Sequence, residues 1–123
     1  MIRLAAAFLF CIAALAHADD TSSLESRKIN YLISSIESLP NAQFVRNGTA
    51  YDAKAAADHL RLKWKNAGSK VSTADDFIRL CGSVSSMTGK PYLIRFADGK
   101  TVTSQSFLRD QLAHYIDKNN SKP

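Results

Sequence analysis

The chain has 123 residues, of which 46% are hydrophobic, and its 16 Lys and Arg against 11 Asp and Glu give a formal charge of +5 at pH 7. This length predicts one domain with a core of its own, and only two cysteines exclude a disulfide-rich scaffold. The modest charge is spread along the sequence, which suits a protein that works near lipid head groups or cell-wall polymers.

The first 18 residues have the pattern of a secretory signal peptide. Arg3 precedes an uncharged apolar run from Leu4 to Leu15, and the small-x-small sequence Ala16-His17-Ala18 follows. The run is too short to span a bilayer as a helix, and the sequence has no second such run. We therefore predict export, cleavage after Ala18, and no transmembrane segment in the mature chain.

Cleavage at this site changes the composition. It removes Arg3, so that 15 basic residues face 11 acidic ones and the charge becomes +4, and it leaves Cys81 as the one cysteine. A lone cysteine forms no internal disulfide, so core packing must hold the predicted domain, residues 19–117. Export also disfavours nucleic acid as a partner.

The first predicted helix covers residues 22–38, where apolar side chains recur at helical spacing, and Pro40 ends it. Asn47-Gly48 then lies between the β-prone runs FVR and TAY, and Asn-Gly tolerates the positive φ angles of a tight hairpin turn. Asp52 caps a second helix, residues 53–67, which Gly68 closes. Its apolar stripe is formed by Ala53, Ala56, Ala57, Leu60, Trp64 and Ala67.

The second half of the chain repeats this alternation. Thr73 begins a third helix with the inward residues Phe77, Ile78, Leu80, Cys81 and Val84, and the loop 85–91 follows. The segment YLIRFADGKTVTS predicts a second hairpin that turns at Asp98-Gly99. Ser104 caps a last helix, from Gln105 to about Asp117, with the inward residues Leu108, Leu112, Tyr115 and Ile116. Residues 118–123 are predicted to fray.

The element order is thus α-ββ-α-α-ββ-α. This order predicts a small single α+β domain, in which helices pack on an antiparallel sheet built from the two hairpins.

Several segments together carry a family resemblance. They are F-x-R-N-G followed by Tyr51, His59-Leu60, T-A-D-D-F-I and S-S-M-T-G-K-P-Y. In their order and spacing they resemble the small exported bacterial proteins of the domain of unknown function 5329, over nearly the whole mature chain. The resemblance implies a Gram-negative periplasm as the location, and it implies no activity.

One departure from the family pattern concerns two cysteines. Family members carry one cysteine two residues before the hairpin Phe and another at the end of the P-Y-x-x-R strand, where this chain has Ala42 and Phe96. If that family pair forms a disulfide, the two positions are neighbours in space. The resemblance therefore implies that both hairpins belong to one sheet, and it leaves Cys81 as a small core residue.

His59 is a candidate for chemistry, because it lies at the edge of the apolar stripe of the second helix. It is either a boundary histidine bonded to backbone or a catalytic or switching residue. Lys63, one turn further on, disfavours protonation of His59 if the side chains approach. Neither a metal site nor a cofactor site is predicted. The mature chain has only two histidines and one cysteine, and they are not spaced along the sequence as zinc ligands are.

The loop SSMTGK is a second candidate. It lacks the spacing of a phosphate-binding P-loop, and a Gly after a serine-rich helix end is an ordinary helix terminus. Its hydroxyl, backbone N–H and ammonium donors could nevertheless hold a carboxylate or a sulfate-like group. The donors are Ser85, Ser86, Thr88, Gly89 and Lys90.

Arg46 and Tyr51 flank the first turn, and strand alternation alone does not say which of them faces solvent. They either form an exposed recognition surface, or Arg46 pairs with a carboxylate while Tyr51 covers the core.

The favoured function is a non-catalytic binding module that recognises an envelope protein or an anionic ligand through the first hairpin and the SSMTGK loop. One alternative is a small serine-dependent hydrolase or transferase that uses Ser86 with His59 or Lys90. Another alternative, a protein associated with the membrane surface, rests on the charge of the mature chain alone.

Overall fold

A computed structural model describes residues 21–122, and the predicted signal peptide lies outside them. The elements are α1 at residues 21–37, β1 (Gln43–Arg46), β2 (Thr49–Tyr51), α2 (Ala53–Ala67), α3 (Ala74–Cys81), β3 (Leu93–Arg95), β4 (Thr101–Thr103) and α4 (Ser104–Asn120). The predicted element order and the α+β class are confirmed. No helix within residues 21–122 combines the length and the hydropathy that crossing a bilayer requires.

Local chemistry sets where the helices begin. The Asp52 carboxylate accepts a hydrogen bond of 2.8 Å from the backbone N–H of Ala55 at the start of α2. Thr73 and Asp76 form a reciprocal capping box at the start of α3, in which each side chain accepts from the other residue's backbone N–H. These two predicted starts are confirmed.

The four strands form one antiparallel sheet in the order β2-β1-β3-β4. Strand β1 pairs with its hairpin partner β2 and, on its other side, with β3, where Phe44 lies opposite Ile94. The expectation that both hairpins share a sheet is therefore confirmed. Gln43 lies opposite Arg95, so the same register places Ala42 opposite Phe96.

The helices cover one face of this sheet. Phe44 and Ile94 on that face are buried, whereas Gln43 and Arg95 on the opposite face are exposed. The core joins these two strand residues to residues from all four helices, chiefly Ile29, Leu32, Ile33, Ile36, Ala57, Leu60, Phe77, Ile78, Cys81 and Leu108. Cys81 is a core residue as expected, and burial raises the pKa of its thiol.

Three residues that were assigned to the inward faces are exposed, at 38–40% of their surface, and these assignments were wrong. They are Leu80, Val84 and Ile116. Ile116 lies near the C-terminal end of α4. Helix α3 ends at Cys81, where the N–H of Gly82 bonds to the carbonyls of Phe77 and Ile78, so Val84 lies outside the helix.

The boundaries of α4 also differ from the prediction. Thr103, and not Ser104, is the cap, because its hydroxyl accepts a hydrogen bond of 3.2 Å from the N–H of Ser106. Strand β4 runs into the helix without a linker, so Thr103 ends one element and caps the next. The helix continues beyond Asp117 to Asn120, and the N–H of Ser121 bonds to the Asp117 carbonyl.

Candidate functional site

The sheet register brings Arg46 and Tyr92 side by side. Val45 lies opposite Leu93, so the next pair along these antiparallel strands is Arg46 and Tyr92. Tyr51 lies opposite Phe44 and therefore faces the same, helix-covered side of the sheet. Two residues of the first hairpin and one residue just before β3 thus face the same helix.

Helix α2 supplies the other half of this site. His59 and Lys63 are four residues apart, which places them on one side of the helix. Both are half-buried, as are Arg46 and Tyr51, and Tyr92 is 9% exposed. We refer to these five residues, Arg46, Tyr51, His59, Lys63 and Tyr92, as the basic cluster.

Hydrogen bonds connect the basic cluster continuously. Arg46 Nη2 donates to the Tyr51 hydroxyl at 3.1 Å, and Arg46 Nη1 lies 3.0 Å from Nδ1 and 3.1 Å from Nε2 of His59. His59 Nε2 is 3.4 Å from the Tyr92 hydroxyl, which accepts a hydrogen bond of 2.9 Å from Lys63 Nζ. The Arg46 guanidinium and the Lys63 ammonium also lie 5.1 and 5.0 Å from the ring centres of Tyr51 and Tyr92.

His59 is held neutral in this cluster. An arginine only donates hydrogen bonds, so its contact with His59 favours the unprotonated imidazole, which has a ring nitrogen that accepts. Burial, and then the charges of Arg46 and Lys63, lower the pKa of His59 below its usual value of 6.5. The prediction that Lys63 disfavours protonation of His59 is therefore confirmed.

The two cations of the basic cluster lack an acidic partner. No ion pair within residues 21–122 includes Arg46 or Lys63. Two more exposed arginines have acidic partners, since Arg61 contacts Glu37 at 2.8 Å and Arg109 contacts Asp75 at 2.7 Å, whereas the exposed Arg27 and Arg95 bond to the neutral side chains of Ser23 and Gln43. The basic cluster is therefore a positively charged, half-buried site whose internal partners are all neutral.

A cavity of about 180 Å³ adjoins the basic cluster. Apolar side chains from three elements form much of its wall, including Ile36, Phe44, Ala56 and Leu60. Its polar wall includes every member of the basic cluster except Lys63. The cavity is therefore amphiphilic, with an apolar interior and a positively charged edge.

The SSMTGK loop contacts the first hairpin turn. The Asn47 side chain donates to the Ser85 hydroxyl at 3.1 Å and accepts from the Thr88 hydroxyl at 2.6 Å. Within the loop, the N–H of Ser85 bonds to the Lys90 carbonyl and that of Gly89 to the Ser85 carbonyl. Ser85 is buried, so it holds the loop against the hairpin and does not present its hydroxyl to solvent.

Comparison with known proteins gives one family. Residues 23–116 match a family of unknown function, DUF5329. The chain belongs to this family, which confirms the resemblance seen in the sequence. It is also similar to the uncharacterized protein YfeK of Salmonella typhimurium, with 41% identity over 68 residues. That match covers 55% of this chain and 57% of the Salmonella protein, and no solved structure matches.

Three of the predicted site residues come together, in a way that the sequence did not show. Arg46 neither points into solvent nor pairs with a carboxylate; it bonds to His59 and Tyr51. His59 contacts side chains and not backbone, so its interpretation as a backbone-bonded histidine was wrong. Both differences arise because β1 and α2 pack with these residues facing one another.

The remaining predicted residues are separate from this cluster. Ser85 and Thr88 contact the hairpin turn, while Ser86, Gly89 and Lys90 are exposed. Within the described residues the Ser86 hydroxyl forms no hydrogen bond with His59 or Lys90, so no serine–base pair is assembled there. Nor does any group of three His, Cys, Asp or Glu in residues 21–122 have the arrangement of a metal site.

Three residues of these contacts were missed as candidates. Lys63 was expected to lie near His59 from its helical spacing, but it was not itself named as a binding residue. Asn47 was identified as a turn residue with positive φ, and its φ is 51°, but its side chain also anchors the loop. Tyr92 gave no local signal, because only the pairing of β1 with β3 brings it to Arg46.

Proposed function

We propose that this protein is an exported periplasmic binding module without catalytic activity, and that the basic cluster receives an anionic group of its ligand. The single observation that carries this proposal is the pairing pattern of Arg46 and Lys63. Both cations are half-buried with only neutral partners, whereas Arg61 on the exposed surface has Glu37.

A buried charge is costly unless it is paired, so an incoming anion would supply what the fold itself does not. A carboxylate or phosphate oxygen would accept hydrogen bonds from N–H groups of Arg46, and charge-assisted bonds of this kind are short and strong. The neutral His59 adds no charge of its own but orients the guanidinium. The cluster therefore has the chemistry of an anion receptor.

The N-terminal sequence supports the proposed periplasmic location. Arg3, the apolar run 4–15 and the Ala-His-Ala site have the composition of a secretory signal peptide. Export would place the basic cluster among envelope proteins, cell-wall polymers and lipid head groups, all of which carry anionic groups. Sequencing the N terminus of protein recovered from a periplasmic extract tests this part, and a start at Asp19 is expected.

Nuclear magnetic resonance with small anions tests the binding site. Acetate and inorganic phosphate are titrated separately into the purified protein while the side-chain N–H signals of Arg46 and the ring signals of His59 are followed. Saturable shifts of these signals with either anion are expected. The shifts of the His59 ring signals should disappear in Arg46→Gln, and the shifts of both residues should persist in Arg61→Gln, a matched control that removes a cation already paired with Glu37.

Equal shifts in the wild type and in Arg46→Gln, or shifts spread over all surface cations, would contradict the assignment. Thermal unfolding of each variant verifies that a lost response reflects the missing guanidinium and not a lost fold.

A further inference from the structure

The cavity beside the basic cluster narrows the class of ligand. Resting on the function proposed above, we propose that the site binds a small carboxylic acid, whose compact apolar body fills the cavity and whose carboxylate meets Arg46. Three features of the site support this class: the size of the cavity, the nature of its walls and the shape of the cation at its edge.

Size limits the apolar body to about one ring. The cavity has a volume of about 180 Å³. An apolar protein cavity of about 150 Å³ accepts benzene, whereas sites for drug-sized ligands begin at about 300 Å³. A six-membered ring or a short branched chain fits inside this space, whereas a sugar chain or a long acyl chain cannot be enclosed in full.

The walls require an apolar body. Ile36, Phe44 and Leu60 come from α1, β1 and α2 and are buried core residues, so the cavity extends to the core. A polar ligand body would lose its hydration against these side chains without gaining partners. An apolar body instead removes both surfaces from water.

The charged edge of the cavity fits a carboxylate. The planar Arg46 guanidinium bonds to His59 and to Tyr51, and it carries five N–H donors in total. Donors therefore remain for the two oxygens of a carboxylate, which match a guanidinium edge bidentately. Lys63 Nζ already donates to the Tyr92 hydroxyl and lies 3.3 Å from the Val84 carbonyl, so it contributes charge more than free donors for a phosphate.

Titration with matched probes tests this inference. The probes are benzoate, benzamide, acetate and inorganic phosphate, each titrated into the purified protein by calorimetry and by the nuclear magnetic resonance signals of Arg46. Benzoate should bind at least about tenfold more tightly than acetate, because its ring leaves water. Benzamide has the same ring without the charge and should not bind measurably.

Variants separate the contribution of Arg46 from the contribution of the apolar cavity. Arg46→Gln should abolish binding of both acids, and Arg61→Gln should leave both unchanged. Ala56→Leu should fill the cavity, so that benzoate loses its advantage while acetate binding persists. Should Ala56→Leu unfold, Ala55→Leu on the same wall replaces it, since Ala55 also lines the cavity and is exposed.

The outcomes distinguish this inference from the proposed function. If acetate and benzoate bind equally and Arg46→Gln abolishes both, the anion site stands and the inference that an apolar body fills the cavity is overturned. Phosphate binding that exceeds benzoate binding overturns the carboxylic-acid class. Failure of all three anions to shift Arg46 overturns both proposals, as does benzamide binding equal to that of benzoate.

Discussion

Arg46 Nη1 contacts both ring nitrogens of His59, at 3.0 and 3.1 Å, although the two residues belong to different elements, β1 and α2. The contact couples the sheet to the helix through a histidine whose neutral form the neighbouring cations favour. A second cation, Lys63, donates a hydrogen bond to the hydroxyl of Tyr92, which also lies beside His59. Protonation of His59 would therefore place three positive charges in one half-buried cluster.

The stability of the fold should consequently depend on pH near neutrality. Because the pKa of His59 is lowered in the folded state, the unfolded chain binds more protons as the pH falls below about 7. The contribution of neutral His59 is fully present above the unfolded pKa of 6.5 and is lost as the pH falls through the lower, folded pKa. Denaturant unfolding from about pH 8 to pH 5 should show this decline.

His59→Gln should remove this part of the pH dependence. His114→Gln is the matched control, since His114 is exposed on α4. An unchanged pH slope in His59→Gln would show that another group is responsible.

We predict a second loss of folding stability in acid, which depends on the carboxylate of Asp76. Hydrogen bonds from the backbone and hydroxyl of Ser72, with others from Arg79 and Thr73, lower the pKa of its carboxyl from 3.8 to about 2. The stabilisation is present above pH 3.8 and is lost as the pH falls through about 2. Asp76→Asn should flatten the unfolding free energy over this acid range, whereas Asp110→Asn, on the exposed side of α4, should retain the slope.

A side chain at Gly82 should force Leu108 to repack. A methyl group there would lie 2.5 Å from Cδ1 of Leu108, a fully buried residue of α4. The φ of Gly82 is −107°, which any residue adopts, so the cost comes from packing and not from the backbone. Gly82→Ala should destabilise the fold by about 1 to 3 kcal/mol, as overpacked cores do.

A double-mutant cycle isolates this contact. Leu108→Ala alone should cost about 2 to 5 kcal/mol, and the double variant should cost clearly less than the sum of the two single changes. Strict additivity in denaturant unfolding would mean that Gly82 and Leu108 do not compete for space.

Ala42 and Phe96 should accept a cross-strand disulfide. The register that pairs Gln43 with Arg95 places these two residues opposite each other, on the core side of the sheet. In Ala42→Cys/Phe96→Cys the oxidised form should be more stable than the reduced form by about 2 to 4 kcal/mol. The ring of Phe96 lies 6.2 Å from that of Phe107, and both redox forms of the variant lack it. Comparing these two forms therefore cancels the stability lost with the ring.

The matched control is Ala42→Cys/Arg95→Cys, in which the second cysteine lies on the exposed face and is one residue out of register. Non-reducing mass spectrometry should find an internal disulfide in the first variant and not in the second. Equal oxidation of both would contradict the register.

The positions of most elements were predictable because their signals are local. Asn47-Gly48 forms its turn with positive φ at both residues, and Asp52 and Thr73 cap the helices that follow them. Helix ends were predicted less well. Thr103 takes the capping role assigned to Ser104, since a strand that continues directly into a helix offers two adjacent hydroxyls for one cap.

The sequence by itself thus determined the helices, the hairpins and the family, because turn, capping and periodicity rules act within a few residues. Only the tertiary structure decided what Arg46 contacts. His59 is 13 residues away from it along the chain, and Tyr92 reaches it only through the pairing of β1 with β3. Strand order and helix packing depend on burial of the whole core, which no short segment encodes, so the basic cluster and its cavity emerge with the complete fold.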